Sequence, residues 1–433
     1  MQRLIFAKRL MFKLLSSKTA KNTYFIFFGN SVSMVFAFFF TIILVRMLSI
    51  SDFGYFSAVW TFILLTTDVA DIGIGSSLSR FLPPLEQKKS KLFDFLKSAF
   101  LIQLVIAVFL SALIFLFSRF LSNLFFHQYE YLYLIKIASL GTFGSILLNF
   151  SLYALSARQK FISAAFFTAI NGVLRVFLLL VLLFAGFVSL RNVLWIQSVT
   201  LVLLAILGFV MLNPVFLKAK FRFSHVIKLL GFSSYLGVAR TLTALSGKLD
   251  TLMLISLTNS TQAGIYSTAS RLISIYPLFS GSFTTVIAPR LALIKDQEQL
   301  RKFISKVILG TLGLVLSIIA LIIFAEPFMI VLFGEKAIPA VAVFRVLLVS
   351  MIFFVGSIPA VSLAVYYLKL PKILTINSVL QVIIVIIGNL YFIPKYGKLG
   401  PSYSLVISYG LTFVFTTYLS YYYLNKKHKK LAY

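Results

Sequence analysis

Residues 307–324 read Val-Ile-Leu-Gly-Thr-Leu-Gly-Leu-Val-Leu-Ser-Ile-Ile-Ala-Leu-Ile-Ile-Phe, eighteen positions without a charge. As a helix rising ~1.5 Å per residue the run spans ~27 Å, close to the ~30 Å hydrocarbon layer of a bilayer. A second run, Ile102–Phe117, has the same character. Unbroken apolar runs of this length exclude a transmembrane β-barrel, whose strands alternate apolar and polar positions. The rest of the chain agrees. Of 433 residues 60% are hydrophobic and 12% charged, against roughly 45–50% and 25% in ordinary soluble domains. The composition predicts an all-α integral membrane protein of about twelve transmembrane helices. Its spans are expected near 22–45, 55–77, 94–118, 132–155, 161–186, 192–212, 230–257, 262–289, 304–325, 338–367, 373–394 and 400–424. Connections between them are short, which leaves no room for a catalytic domain outside the membrane. There is no cysteine, so neither a disulfide nor a Cys-ligated metal is expected. The basic stretch 1–21 leads straight into an apolar segment without a small-residue cleavage site, so no signal peptide is expected.

Orientation follows from the loops, because short loops rich in Lys and Arg stay in the cytoplasm. With the N-terminus inside, twenty-six basic residues fall on the cytoplasmic side. Six fall outside: Arg46, Arg119, Arg191, Lys336, Lys395 and Lys398. Both termini are therefore expected in the cytoplasm, and the number of spans is even.

The chain also aligns with itself at an offset of 210. Gly54-Tyr55-Phe56-Ser57 then lies over Gly264-Ile265-Tyr266-Ser267, Arg80 over Arg290, Lys91 over Arg301 and Phe93 over Phe303. Each copy begins at an odd-numbered span, and six spans separate them. That even separation predicts two parallel six-helix lobes, an arrangement in which transporters place substrate between the lobes near mid-membrane. The expected organisation is a cytoplasmic tail at 1–21, an N-lobe at 22–212, a linker at 213–229, a C-lobe at 230–424 and a second basic tail at 425–433.

Eight basic residues remain within or at the ends of spans. Lys97, Lys136 and Lys306 lie near span ends and are expected to snorkel to the headgroups. The other five lie deeper. Arg240 is ~15 Å into span 7 and Arg175 ~20 Å into span 5, while Lys248 and Arg271 sit ~13 Å, and Arg345 ~10 Å, from the outer ends of their spans. Each costs at least ~2.5 kcal/mol at the bilayer centre, so such residues face a wet cavity or a partner. The acids within the spans are Asp68, Asp71 and Asp250, which leaves the interior net positive. Two readings stand for Arg240, Lys248, Arg271, Arg175 and Arg345: a cationic cavity for a phosphate-bearing substrate, or ion pairs between helices. Asp68 and Asp71 share a helix face and are expected to pair, to gate or to bind a coupling ion; Asp250 is open to the same roles.

Other chemistry is sparse. His127, His225 and His428 are far apart and offer no metal-ligand spacing, and no cofactor or metal is expected. Gly73-Ile74-Gly75 lacks the context of a dinucleotide loop and reads as close helix packing. The many Phe and Tyr rings read as lipid-facing or interfacial belts. Most of the +29 charge is accounted for by topology and anionic lipid headgroups rather than by a nucleic acid.

The stretch Arg46-Met47-Leu48-Ser49-Ile50-Ser51-Asp52-Phe53-Gly54-Tyr55-Phe56-Ser57, with Asp71-Ile72-Gly73-Ile74-Gly75 and Ser79-Arg80-Phe81, resembles the opening of the Wzx-type polysaccharide flippases. Asp250, Ala263-Gly264-Ile265-Tyr266-Ser267, Pro289-Arg290 and Gly397-Lys398-Leu399-Gly400 extend the resemblance along the chain. The family lies in the MATE-like MOP exporter superfamily. The resemblance implies two six-helix lobes in a V, and movement of polyprenyl-pyrophosphate-linked oligosaccharides across the bacterial cytoplasmic membrane for O-antigen or capsule synthesis. It implies as partners a lipid-linked oligosaccharide, membrane lipids and the glycan polymerase or chain-length machinery. In one respect the chain departs from the related lipid II flippases, which carry arginines in span 1: no charge lies between Tyr24 and Val45. That argues against a peptidoglycan precursor. A multidrug or cation antiporter on the same fold would want an acidic cavity, and a glycan polymerase or glycosyltransferase would want larger outer loops; Glu130, Glu326 and Glu335 read as isolated outer charges.

Overall fold

A computed structural model describes residues 18–294 and 296–431, and the side chains at 18–23, 233–236, 238–240, 243, 282, 285 and 427–431 lie outside its description. The described residues are predominantly helical, with no strand among them. Through the N-terminal half the helices are α1 (Lys18–Met47), α2 (Ile50–Asp71), α3 (Ile74–Phe81), α4 (Lys89–Leu116), α5 (Ser118–Phe126), α6 (Leu132–Ala157), α7 (Phe161–Phe184) and α8 (Leu190–Met211). Then follow α9 (Phe223–Leu257), α10 (Ser260–Ile273), α11 (Ile275–Leu293), α12 (Gln297–Ile323), α13 (Ala325–Phe333), α14 (Ile338–Gly356), α15 (Ile358–Ser362), α16 (Lys372–Tyr396) and α17 (Gly400–Leu431).

Ten helical stretches among the described residues are long and apolar enough to cross a membrane. The last of them, Lys372–Lys426, contains both α16 and α17. The 35-residue α9 falls short of that apolar character because Lys228, Arg240, Lys248 and Asp250 interrupt it, yet it is long enough to cross. Counting it, the described helices make the expected twelve passes of a multi-pass membrane protein.

Three spans are broken where the sequence reads as continuous. The second ends at Asp71, and Ile72 and Gly73 take positive φ of 43° and 77° before α3 begins. Gly73 supplies the left-handed conformation cheaply, and the Asp71 carboxylate accepts the Gly75 N–H at 3.0 Å, satisfying an amide that the new helix start leaves open. Of the expected packing glycines, Gly75 does pack closely: a Cβ there would lie 2.7 Å from the Tyr153 ring. The eighth span bends at Ser274 between α10 and α11. The tenth is interrupted by Gly356 and Pro359, and after α15 it winds as a π-turn over Leu363–Tyr367; Pro359 has no N–H to give the preceding turn. At the C-terminus α17 continues to Leu431, through most of the expected basic tail. The expected N-terminal tail lies outside the described residues as far as residue 17.

The chain packs as two compact units. The first holds the helices up to Leu44, Phe62–Asn123 and Gln128–Thr241. Here α6 packs along α8 and against α4. Small residues allow the approach: a Cβ on Gly144 would lie 2.7 Å from the Val202 nitrogen, and one on Gly208 2.7 Å from Ser151. A buried cluster of Leu78, Leu82, Phe95, Phe150, Leu212 and Phe216 fills the end of this unit nearest the linker. The linker is pinned to α4: Asp94 accepts the Lys220 N–H and the Arg222 Nε–H, both at 2.9 Å, Ser98 accepts the Arg222 N–H, and Lys97 donates to the Ala219 carbonyl. Lys97, expected to reach for headgroups, thus serves the linker backbone.

The second unit comprises Val45–Thr61, Leu124–His127 and Leu242–Tyr433. Its α17 packs along α16 and α14. Where α2 and α10 start, two glycines cross. A Cβ on Gly54 would collide with the Ser260 carbonyl oxygen, and a Cβ on Gly264 with the Ile50 carbonyl oxygen. Gly54 and Gly264 are 210 apart, as are Ile50 and Ser260, so equivalent positions of the sequence repeat meet each other across a local two-fold axis. Ser51 and Ser260 join hydroxyls there at 2.7 Å. Around this crossing, Arg46 caps the carbonyl end of α13, donating to Val331 and Leu332 at 2.6 and 2.9 Å, while Lys336 donates to the Arg46 carbonyl. Ser256, the position 210 beyond Arg46, accepts from the His127 ring at 2.7 Å. Both copies are therefore tied down by their span-1 equivalents.

Candidate functional site

The chemistry concentrates in α9, α10 and α16. Asp250 is 4% exposed and is held by two side chains: Tyr266 Oη donates to one carboxylate oxygen at 2.9 Å and Asn389 Nδ2 to the other at 2.8 Å. Both partners are buried, and the second Asn389 contact is to the Met253 sulfur at 3.7 Å. The Asn389 carbonyl oxygen accepts no hydrogen bond from a described residue. No basic side chain among the described residues forms an ion pair with Asp250. A carboxylate enclosed without counter-charge among the described residues is costly. Such a carboxylate can take up a proton. Tyr266 lies within the repeated Gly-aromatic motif, and Asn389 is a lone amide in the apolar run Val385–Ile393; neither was a sequence candidate, although an isolated amide in a span is itself a signal.

Of the expected cations, Lys248 is half-buried on α9 two residues before Asp250. Arg271 is half-buried in the last turn of α10, next to the bend at Ser274, and pairs with no acidic side chain among the described residues. Arg345 stands apart from these: it is exposed on α14, 4.0 Å from Glu326 at the start of α13, so Glu326 is not the isolated charge its sequence position implied. In the first unit Arg175 is half-buried on α7, one turn beyond Gly172, where a Cβ would lie 2.8 Å from the Ser33 Cα of α1. Arg240 lies on α9, and its side chain is outside the described residues. Asp68 is half-buried on α2, and Asp71 is buried at the break of that helix, spending one oxygen on Gly75. Gly237 of α9 packs onto the same break, its Cβ position 2.7 Å from the Ile72 carbonyl. The structure thus gathers Lys248, Asp250 and Arg271 in one unit with Arg345, and Asp68, Asp71 and Arg175 in the other.

Linker-side charges have structural partners. Arg158 holds Glu86 at 3.3 Å and the Leu212 carbonyl at 3.2 Å. Burial pushes the nearby Lys160 ammonium down from its ordinary value, and the Arg158 charge adds to that shift. Arg80 stacks 4.2 Å over Phe232. Among the described residues no group of three or more His, Cys, Asp or Glu is placed to hold a metal.

Comparisons with known proteins bear on this arrangement. The inward closed conformation of the lipid II flippase MurJ is similar over 90% of this chain and 86% of that one, with a TM-score of 0.73 and 17% identity. An inward-facing multidrug resistance MATE transporter of the MOP superfamily matches over 91% and 96%, with a TM-score of 0.70 and 14% identity. A MOP superfamily transporter from Pyrococcus furiosus, described as having a binding pocket of reverse polarity, matches over 94% and 96%, with a TM-score of 0.62 and 14% identity. These likenesses establish the fold, and the proteins that share it are transporters and flippases. No curated protein matches the chain by sequence. The sequence profile of the family described as "Polysaccharide biosynthesis protein" matches residues 43–342. With that match running from the end of the first span into the tenth, the chain belongs to the polysaccharide biosynthesis protein family.

Proposed function

We propose that the protein carries a polyprenyl-pyrophosphate-linked oligosaccharide from the cytoplasmic to the outer leaflet of the bacterial cytoplasmic membrane, for assembly of a surface polysaccharide. The observation that supports it best is Arg271. A guanidinium within a span, half-buried and without an acidic partner among the described residues, needs a polar ligand, and a pyrophosphate offers oxygens in the geometry guanidinium prefers. Lys248, in the same unit, would share the headgroup's charge, while the polyprenyl chain stays in lipid. Arg345, with Glu326 beside it, is assigned to an interfacial ion pair. Asp250 would take up a proton or a monovalent cation with Tyr266 and Asn389, linking transport to an ion gradient; Asp71 shapes the helix break.

The test is depletion of the protein from its native cell, followed by locating the lipid-linked glycan. Accumulation in the inner leaflet is the expected result. Unpolymerised glycan in the outer leaflet would indicate a polymerase, and an unchanged glycan with altered drug accumulation would indicate a drug antiporter. Cells carrying Arg271→Gln and Lys248→Gln at normal protein levels are expected to show the same inner-leaflet accumulation; undiminished export from them would sink the cationic-headgroup part of the reading.

A further inference from the structure

The second unit holds a cavity of about 370 Å³ that none of the described cationic side chains lines. It opens where the tenth span is broken, between α11, the segment from Phe354 through α15, the start of α16, and α17. Its wall is unusual for the inside of a membrane protein. Thr284, Ser362, Asn377 and Gln381 turn neutral hydroxyls and amides toward it, together with four further Ser and Thr residues, and no charged side chain lines it among the described residues. Phe354 and Tyr409 form an aromatic corner, their rings 5.3 Å apart and tilted by 54°.

Two observations indicate that this wall is built to receive something. Asn377 is 8% exposed and gives its amide N–H to Thr416 at 2.8 Å, yet its carbonyl oxygen accepts no hydrogen bond from a described residue. A buried amide is normally satisfied on both sides. Beside it, Pro359 and the π-turn at Leu363–Tyr367 interrupt the span. Non-helical backbone at membrane depth is tolerated where it lines a cavity, and π-turns are frequent at functional sites.

The chemistry narrows the occupant. A phosphate needs cations, and the cavity has none. A polyprenyl or acyl chain gains nothing from a row of amides and hydroxyls, each of which would lose its hydrogen bonds against it. A neutral sugar meets both demands: its hydroxyls pair with Asn377, Gln381, Thr284 and Ser362, and its C–H face lies on the electron-rich faces of Phe354 or Tyr409. At about 370 Å³ the cavity falls within the ~300–1,000 Å³ range of small-ligand sites.

We infer that this cavity is the glycan subsite, receiving uncharged sugar residues of the substrate while the cations hold its pyrophosphate. The inference rests on the flippase reading for the identity of its ligand. It also divides the substrate between two places: charge is recognised by Lys248 and Arg271, sugar by a neutral wall near the broken span.

The experiment uses the full chain in lipid nanodiscs and two probes. One is the free glycan released by mild acid from the native cell's own polyprenyl-linked pool; the other is polyprenyl pyrophosphate without sugar. Binding is read by saturation-transfer NMR and calorimetry. Gln381→Leu and Thr284→Val are each expected to weaken the glycan about tenfold, the effect of one buried hydrogen bond lost, and to leave the sugar-free lipid unchanged. Asn377→Leu should do more, and the two milder variants keep the test valid if loss of the Thr416 contact unfolds it. Absence of glycan binding to the wild type, or equal weakening of both probes, overturns the subsite. If the glycan binds in this selective way while the leaflet assay shows no flipping, the subsite stands and the transport reading falls.

Discussion

Spans 1 and 2 and spans 7 and 8 are copies set 210 residues apart, and they have diverged in one place while staying alike in another. At the crossing of α2 and α10 the copies are equivalent: Gly54 faces Gly264, and Arg46 and Ser256 each anchor their own end. A turn or more deeper the likeness ends. Asp250 corresponds to Phe40, Tyr266 to Phe56, Lys248 to Phe38 and Arg271 to Thr61. Phe40 and Phe56 are as buried as Asp250 and Tyr266, so the second copy has placed polar groups where the first keeps rings. The lesson is that backbone contact constrains both copies equally, whereas an interior position is free to acquire chemistry in one copy once the other supplies the packing.

The equivalence of the two copies is tested most severely at the crossing. Gly264→Val drives a branched side chain into the Ile50 carbonyl, where no rotamer relieves the overlap; we expect a loss of at least ~3 kcal/mol, seen as little monodisperse protein after extraction and a lower Tm. Gly54→Val should do the same if the two sites are equivalent, and a benign outcome at either would show that the symmetry is only apparent.

Next in size is Asp250→Asn. The amide keeps the shape of the carboxylate, so stability should move by no more than ~1.5 kcal/mol, while glycan-lipid transport in proteoliposomes falls to background and loses any dependence on an imposed proton or sodium gradient. Wild-type transport rates in that variant would remove Asp250 from coupling. Tyr266→Phe restores the residue type of the first copy. It deletes one hydrogen bond to a carboxylate, about 1.5 kcal/mol or roughly tenfold in transport, and should spare protein yield because Phe56 shows that the site accepts a ring. The smallest effect is expected at Arg345→Gln. Its pair with Glu326 is exposed and long, worth at most ~0.5 kcal/mol, and transport should be unchanged.

Much of the fold was legible because hydrocarbon is a simple solvent: apolar runs fix the spans, and Lys and Arg in loops fix the expected orientation. The breaks at Ile72–Gly73, Ser274 and Gly356–Pro359 were not, since each lies inside an apolar window and depends on local backbone chemistry, such as the Asp71 bond to Gly75. Charged candidates were visible because a charge in a span is expensive whatever its role. Their partners were less so. Tyr266 and Asn389 reach Asp250 from other helices, 16 and 139 residues away, and nothing in a linear pattern joins them. Neutral groups such as Gln381 and Thr284 carry little cost in a span and so draw no notice until the fold places them around one cavity.

The Ser51–Ser260 contact offers a practical handle. Their hydroxyl oxygens stand 2.7 Å apart on the two crossing helices, and the chain contains no cysteine. Cysteines introduced at these two positions would put sulfurs at disulfide range with no competing thiol anywhere in the protein. An oxidant would then staple α2 to α10 and a reductant release them. Whether the two helix ends must part in every transport cycle thereby becomes a question that a redox buffer can answer.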